Sequence, residues 1–599
     1  MLPALGVQRH QRGQTIRLRL DKQTIILILE EMGTLLELQG ANPFKSRAFH
    51  NASRAIEAVT DDLRELVTEG RLQEIRGIGK GIALVVADLV TNGTSRDYEN
   101  LRKVFPPGIL ELLKIPGLGP KRVKILFERK RISSIDDLEG AAKNGTLSDL
   151  EGFGPKTQEN ILAGIVSLRT QSGRVLYGDA EAPARALLGD LLKIAGVARG
   201  ELAGSLRRKR ETIGDIDIVV SAPTTARSRV MEAFASHPLA VSVIARGDTK
   251  TSVLLSGDLQ CDLRVVGDDE YPFALNYFTG SKEHNVELRT RARALGLSLN
   301  EYGFSRLPGE HKRTPSRGLR CRTEAEIYQT LGLPLIPPEL RESTGEFEAA
   351  ERGELPGLIE EGDLRGTFHC HTTYSDGLHS LEQMAAAATA RGWEYLGIAD
   401  HSRSAAYAGG LTAARVRAQL QDIAAINKRG VGATLLSGTE CDILPDGSLD
   451  WPDKLLAEFD YVVVSVHSSF KMTESAMTKR VVKALKQKHV TMLGHPTGRL
   501  LQAREGYPID MMQVLRAAAD YGKVIEINAH PMRLDLDWRL GRVAKELGVM
   551  LAINPDAHSI DGLGDVRYGV GIARKGWQET ANVLNTRTLE EVRRYLAQR

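Results

Sequence analysis

From residue 367 onward, short apolar runs that end in polar clusters alternate with helical stretches; the runs are 395–398, 461–466, 491–493, 524–527 and 550–553. That alternation admits few folds: parallel strands in a barrel or wound sheet, with reactive side chains gathered at one rim. The clusters carry His369, His371, Asp376, His401, Glu440, His467, His495, Asp556 and His558. Of the 14 histidines in the chain, nine lie between positions 369 and 558. Imidazole with carboxylate and no thiolate suits Mn²⁺, Zn²⁺ or Fe²⁺ better than a structural zinc. Nine such ligands are too many for one ion and suit three. His379, His489 and His530 fall outside the clusters and read as structural. Glu526 and Asp535 are candidates to orient a ligand from behind.

A second constellation lies upstream, Gly204-Ser205-Leu-Arg-Arg208 followed by Gly214-Asp215-Ile-Asp217. Residues two apart on a strand point the same way, so Asp215 and Asp217 present paired carboxylates. Such a pair repels itself unless a divalent cation lies between, which is the starting point for two-metal phosphoryl transfer. Asp262, heading the apolar run 262–266, suits the third position of the cage. Gly204, Ser205 and Arg208 can hold a triphosphate through backbone N–H, hydroxyl and guanidinium. Short β-branched runs at 217–220, 241–243, 252–255 and 262–266, set between helices, read as an α+β domain.

The N-terminal part is helical in its periodicity and broken by three similar turns, Ile75-Arg-Gly-Ile-Gly-Lys80, Ile115-Pro-Gly-Leu-Gly-Pro120 and Leu150-Glu-Gly-Phe-Gly-Pro155. Their first glycines, Gly77, Gly117 and Gly152, are 40 and then 35 residues apart, so one helix–turn–helix unit is used three times. The pairs Gly77/Gly79, Gly117/Gly119 and Gly152/Gly154 permit tight turns of positive φ whose N–H groups open toward an anion. Each turn leads into a helix N-terminus, favourable for phosphate. Lys80, Lys121, Arg122, Lys124 and Lys156 stand beside them, and Lys121, Arg122 and Lys124 lie in a basic run from residue 101 that also holds Arg102, Lys103, Lys114, Arg129, Lys130 and Arg131. Contacts of this kind grip a nucleic-acid backbone without reading its sequence.

Local basicity matters because the whole chain has 79 Lys and Arg against 76 Asp and Glu, too even a balance to mark all 599 residues as nucleic-acid binding. The four cysteines form no CxxC pair, which argues against a disulfide scaffold or zinc ribbon and for a reducing cytoplasm. Apolar runs such as 82–87 are far too short for a membrane span. Residues 1–20 hold four arginines and no acid, and are expected to be a disordered extension, read as a start placed too early rather than a transit peptide. The acid-rich stretch 341–365, with little apolar content, is expected to be a linker.

The glycine turns resemble helix-hairpin-helix motifs. The palm-like stretch resembles the family X DNA polymerases of the nucleotidyltransferase superfamily, and Tyr277-Phe-Thr-Gly-Ser-Lys-Glu-His-Asn-Val-Glu-Leu-Arg289 looks like their thumb. The resemblance implies that Tyr277, Phe278 and Gly280 lie by the incoming sugar, and that Asn285 and Arg289 face the nascent base pair and template. The histidine region resembles the polymerase-and-histidinol-phosphatase (PHP) domain, a distorted barrel. By that resemblance His369, His371, Glu440 and Asp556 hold a first metal, Glu440, His467 and His495 a second, and Asp376, His401 and His558 a third.

The expected layout is an extension 1–20, helical DNA-binding domains 21–100 and 101–176, palm 177–270, thumb 271–340, linker 341–365 and PHP domain 366–599. This order is similar to that of bacterial family X DNA polymerase/3′–5′ exonucleases. It implies a monomeric, cytoplasmic, nucleoid-associated repair enzyme acting on gapped or primed DNA with dNTPs. Two Mg²⁺ or Mn²⁺ ions would serve the palm and up to three Mn²⁺, Zn²⁺ or Fe²⁺ the PHP domain, with abasic-site cleavage as an extension of the nuclease activity. A DNA-binding scaffold with vestigial metal sites, and a PHP domain acting on a small metabolite, stay open as alternatives. In eukaryotic family members a Schiff-base lysine follows the first glycine turn; Val85 stands at that position here, so 5′-deoxyribose phosphate lyase activity is expected to be poor.

Overall fold

The computed structural model describes residues 22–57, 63–75, 77–106, 108–113, 115, 118–171, 173–307, 320–430 and 432–598. The extension 1–20, Lys114 and the expected phosphate-binding Gly117 lie outside them. The chain divides into two compact units, residues 1–172 and 173–599.

In the first unit, the helix Lys22–Gln39 feeds two apolar cores. Ile25, Leu29, Met32 and Leu36 pack with Val86 and Leu89, whereas Leu35 and Leu38 pack with Val123, Leu126 and Phe153. The expected boundary near residue 100 therefore falls between two cores that share one helix. Helices α1 (Lys80–Asn92), α2 (Pro120–Lys130) and α3 (Pro155–Gln171) each begin directly after a glycine turn. Proline opens two of them, at a position whose missing N–H has no helical partner to lose. Positive φ is confined to the first glycine of the turn: Gly77 has φ +101° and Gly152 +85°. Gly79 and Gly119 are extended, with φ near −81° and −82°, because each caps the helix that follows.

The second unit contains, after the helix Tyr177–Leu192, a five-stranded sheet of β1 (Arg199–Leu202), β2 (Asp215–Ser221), β3 (Ala240–Arg246), β4 (Lys250–Leu255) and β5 (Gln260–Val266), in the order β1-β2-β5-β4-β3. Only β2 and β5 pair in parallel. Helices α4 (Tyr271–Thr279) and α5 (Lys282–Ala294) follow.

The stretch expected to be a linker is folded. It contains α6 (Glu346–Arg352), and Phe347, Ala349 and Ala350 pack with Leu288, Tyr328 and Trp577. Its acids have partners far away in sequence: Glu346 accepts from His284 at 2.8 Å, and Glu342 pairs with Arg208 and Lys575. At its start Arg341 is fully buried, with Nη1 2.7 Å from Glu324 Oε1 and Nε donating to the Ile336 carbonyl. Burial alone would raise Glu324, but Arg341 and Arg207 outweigh it and hold the carboxyl at about 2, below its usual 4.5. A depressed carboxylate stabilises the fold above its unfolded value, and that contribution is lost as pH falls from about 4.5 toward 2. Arg341→Met is expected to cost about 3 kcal/mol at pH 7, because it leaves the buried Glu324 carboxylate with Arg207 alone. Thermal unfolding at pH 7 and pH 3 checks both statements: Glu324→Gln should flatten the acid side of the wild-type profile.

The remainder consists of parallel strands with intervening helices: β6 (Gly366–Cys370), β7 (Tyr395–Ile398), β8 (Thr434–Leu436), β9 (Gly438–Asp442), β10 (Tyr461–Ser465), β11 (Met492–Leu493), β12 (Val524–Asn528) and β13 (Leu551–Asn554). They do not form one continuous barrel ladder. A three-stranded sheet β6-β7-β8 and a five-stranded sheet β9-β10-β11-β12-β13 are connected by single bridges, Cys370 with Ala557 and His401 with Glu440. The ladder of β6 on β7 also slips between Thr367 and Cys370, a bulge that contains His369. One apolar cluster runs from Leu187, Ile216 and Leu263 through Ile398, Val464 and Ile553, so the two sheet systems share a core. Among the described residues, no helix is long and apolar enough to cross a membrane.

Candidate active sites

On the first sheet, the parallel register sets Asp217 directly beside Asp262 and Asp215 beside Gln260. The carboxylates of Asp215, Asp217 and Asp262 approach closely enough to hold a metal ion together. Burial first, then Asp215 and Asp262, push Asp217 up to about 7. A cation within the cage would reverse that penalty. Burial opposes the ionisation of Asp262, but Lys250 Nζ at 2.5 Å, with Ser252 and Gln260, lowers its carboxyl. Lys250 was invisible in the sequence pattern, because only the β4–β5 register brings it across. Gly204 has φ +60°, and a Cβ there would collide with the Asp217 carboxylate. Ser205 follows it in the short helix Gly204–Arg207.

Arg208 already has partners. Its Nε donates to Glu342 Oε1 at 3.0 Å and its Nη1 to the Thr279 carbonyl, which ties the Gly204 turn to the Tyr277–Gly280 segment. Tyr277 and Phe278 meet edge to face at 5.1 Å, and the Arg264 guanidinium lies over the Phe278 ring. Asn285 and Arg289 share a face of α5, but Asn285 Nδ2 donates to the Tyr277 carbonyl at 2.7 Å, leaving its oxygen for other use.

Five histidines of this region, His369, His371, His401, His467 and His495, converge on Glu440. Its Oε1 is 2.9 Å from His495 Nε2 and 3.3 Å from both His467 Nε2 and His369 Nε2; its Oε2 is 2.8 Å from His401 Nδ1. Asp556 Oδ1 is 3.2 Å from His371 Nε2, while Asp376 is 3.4 Å from His558 Nε2 and 3.6 Å from His401 Nε2. Four overlapping groups could hold ions: His371 with Asp376, His401 and His558; His369 with His495 and Asp556; His369 with His371 and Glu440; and His401 with Glu440 and His467. The fit to metal is chemical as well. His369 Nε2 and both ring nitrogens of His371 are buried with no hydrogen-bond partner, a costly state for imidazole unless it ligates. Burial opposes charge on Glu440, yet His467, His369 and His401 hold its carboxyl well below the usual range.

Three of these residues, His369, His495 and Asp556, have left-handed backbones with φ +56°, +24° and +53°. Each such residue costs about 1–3 kcal/mol, a strain that clusters at functional sites. Glu526 behaves as the sequence suggested: Oε1 is 2.6 Å from His369 Nδ1 and Oε2 accepts from the His495 N–H. Asp535 makes no hydrogen bond to a histidine among the described residues; it accepts from Thr497 and Gly498 and so shapes the turn after His495. Asp442, 2.6 Å from His467 Nδ1, escaped sequence reasoning although it lies two residues after Glu440 on β9. Asp400 fixes Thr372 and Ser375 beside Asp376, and Arg533 lies 3.6 Å from Asp556. His379 and His530 accept backbone N–H groups and join no ligand group.

At the glycine turns of the first unit, Lys80, Lys121 and Lys156 are exposed in the first turns of α1, α2 and α3. A Cβ added at Gly79, Gly119 or Gly154 would meet nothing within 4 Å, so the approach to these helix N-termini is open. Lys124 is partly committed to the Gln39 carbonyl, and Arg122 lies 4.0 Å from where a Cβ on Gly152 would be. Val85 is buried in the core.

Repeated helix–turn–helix units, a carboxylate-bearing sheet with its following helices, and a histidine–carboxylate domain succeed one another along the chain. Family models match in the same order: a helix-hairpin-helix domain at 21–95, a SAM-like helix-hairpin-helix tandem at 109–165, a DNA polymerase beta thumb at 274–342 and a PHP domain at 367–530. The chain is 41% identical over 580 residues to the DNA polymerase/3′–5′ exonuclease PolX of Bacillus subtilis, covering 96% of this chain and 99% of that protein. It belongs to the PolX family. Parts resemble other proteins: 25% identity to DNA polymerase lambda of Rattus norvegicus over 53% of this chain and 56% of that one. A probable phosphatase of Thermoanaerobacter is 30% identical over 28% of this chain and 70% of its own length.

Proposed function

We propose that the chain fills short gaps in DNA at the palm and trims 3′ ends at the histidine site, as a monomeric, cytoplasmic repair enzyme. The full-length match to a polymerase/3′–5′ exonuclease supports this reading most directly. In the palm, Asp215, Asp217 and Asp262 would hold two Mg²⁺ or Mn²⁺ ions, and Gly204, Ser205 and Arg208 would receive the triphosphate. Tyr277, Phe278 and Gly280 lie along the sugar, with Asn285 and Arg289 toward the base pair. In the C-terminal site the nine ligands would hold up to three Mn²⁺, Zn²⁺ or Fe²⁺ ions, with Glu440 placed to serve more than one of them. Divalent cations, when bound, lower the pKa of the attacking hydroxyl or water and neutralise charge developing on phosphate. The protein's part is to fix those ligands: Glu526 and Asp442 hold the rings of His369 and His467. Arg533, 3.6 Å from Asp556, would meet a DNA phosphate there.

Primer extension and 3′ degradation by the purified protein, with Mg²⁺ and with Mn²⁺, test the assignment; inactivity on both substrates would favour a scaffold with vestigial sites. The phosphatase relative gives a second reading for the C-terminal domain. Turnover of small phosphate monoesters in place of DNA ends would establish it.

The glycine turns, with Lys80, Lys121, Arg122, Lys124 and Lys156, hold the DNA backbone. Binding should weaken with salt, the log affinity falling by about 0.9 per phosphate neutralised for each unit of log salt. Replacing Lys121, Arg122 and Lys124 together should flatten that slope by about 2–3, measured by fluorescence titration on duplexes of unrelated sequence. An unchanged slope would place the DNA elsewhere. With Val85 in the core and Lys80 in the solvated first turn of α1, neither position offers a desolvated amine for Schiff-base lyase chemistry.

A further inference from the structure

Helix α7 (Val566–Lys575) belongs to the C-terminal half, and its last residue, Lys575, is fully buried. The Lys575 ammonium does not serve the histidine site. Its Nζ donates to Glu342 Oε1 at 2.5 Å and to the backbone carbonyl of Arg208 at 3.0 Å, with the Glu339 carbonyl at 3.5 Å. The same Glu342 oxygen accepts from Arg208 Nε at 3.0 Å, and Arg210 Nη1 lies 3.3 Å from the other. One lysine thus grips Arg208 twice, by its backbone and through the carboxylate that holds its guanidinium. With Nη1 committed to the Thr279 carbonyl, Arg208 keeps Nη2 without a hydrogen bond among the described residues.

A buried ammonium costs several kcal/mol unless it is surrounded by acceptors, so a lysine here is a poor choice for packing alone. Burial lowers its pKa to about 8, while Glu342 pulls the other way. We propose that Lys575 and Glu342 are positioning residues for Arg208, so that a lysine from the nuclease half sets how tightly the palm holds the triphosphate of an incoming nucleotide. The inference rests on the reading of Arg208 as a triphosphate ligand. A guanidinium already fixed through two donors offers its remaining N–H groups without losing rotamer entropy on binding. Without Lys575, the Arg208 backbone loses its anchor, and Glu342, left with Arg208 and Arg210 alone, competes more strongly with the triphosphate for the Arg208 guanidinium. Both effects weaken nucleotide binding more than they slow chemistry.

Steady-state extension of a primed template by the full-length protein tests this, with 3′ trimming measured on the same preparations. Lys575→Met should raise KM for dNTP about tenfold, with kcat within about twofold and trimming unchanged. Glu342→Gln should raise KM similarly, and the double variant should be no worse than the worse single one, because both act through one side chain. Arg208→Ala must also raise KM. If it does and folded Lys575→Met does not, the inference is overturned while the reading of Arg208 stands. If Arg208→Ala leaves KM unchanged, that reading fails and the inference with it. Multiplying effects in the double variant would also overturn it. Should Lys575→Met not fold, Glu342→Gln, of nearly equal volume, decides alone: an unchanged KM refutes the proposal.

Discussion

Asp217→Ala should abolish primer extension, by about a thousandfold or more, while 3′ trimming by the same protein continues. Asp217 is the carboxylate between Asp215 and Asp262, so its loss removes the centre of the cation cage; about 4 kcal/mol of lost charge stabilisation is a factor of about a thousand. The loss should not come from unfolding. The Asp217 carboxyl is raised to about 7, so its ionised form costs stability above that pH when no cation is present. In EDTA at pH 8 the variant should therefore melt at or above the wild-type temperature. A melting point many degrees lower, or trimming lost together with extension, would undo the assignment of two separate sites.

The complementary result is expected from Glu440→Ala: trimming should fall by about a thousandfold and extension should persist. Both Glu440 oxygens face imidazoles, with His369, His467 and His495 around one and His401 at the other. Removing one carboxylate therefore strips charge from several ion positions at once. Asp376, half-buried and facing His401 and His558, serves a more peripheral group. Elemental analysis after gel filtration should find less metal in Glu440→Ala than in Asp376→Ala. Glu440→Gln, which preserves volume but not charge, should behave like the alanine variant. Equal metal in the Glu440 and Asp376 variants would end the bridging role.

Much of both sites could be read from sequence because their ligands carry local spacing. Asp215 and Asp217 alternate on one strand, and the histidines follow strand ends, so period and position placed them together before any contact was known. What escaped was set by register and by distant pairing. Lys250 reaches Asp262 only through an antiparallel neighbour, and Asp442 looked like an ordinary acid until β9 brought it to His467. No composition rule announces that His369, His495 and Asp556 have left-handed backbones, since non-glycine residues adopt that conformation only where their surroundings impose it. The stretch 341–365 misled for a simpler reason. Acid-rich segments resemble solvated connections, but here Glu342 and Glu346 answer cationic and imidazole partners far off in the chain.

That folded stretch has a practical consequence for anyone wishing to harvest one activity without the other. A polymerase fragment ending at 340 would lose Phe347, Ala349, Ala350 and Trp577 from the cover of Leu288 and Tyr328. It would also expose the seam where the Tyr177 and Tyr568 rings meet edge to face at 5.8 Å. Such a cut leaves an adhesive surface prone to aggregation, and a nuclease fragment would inherit the matching half. Point substitution, rather than dissection, is the clean way to silence either activity, and evolution would meet the same obstacle in shedding one half of the gene.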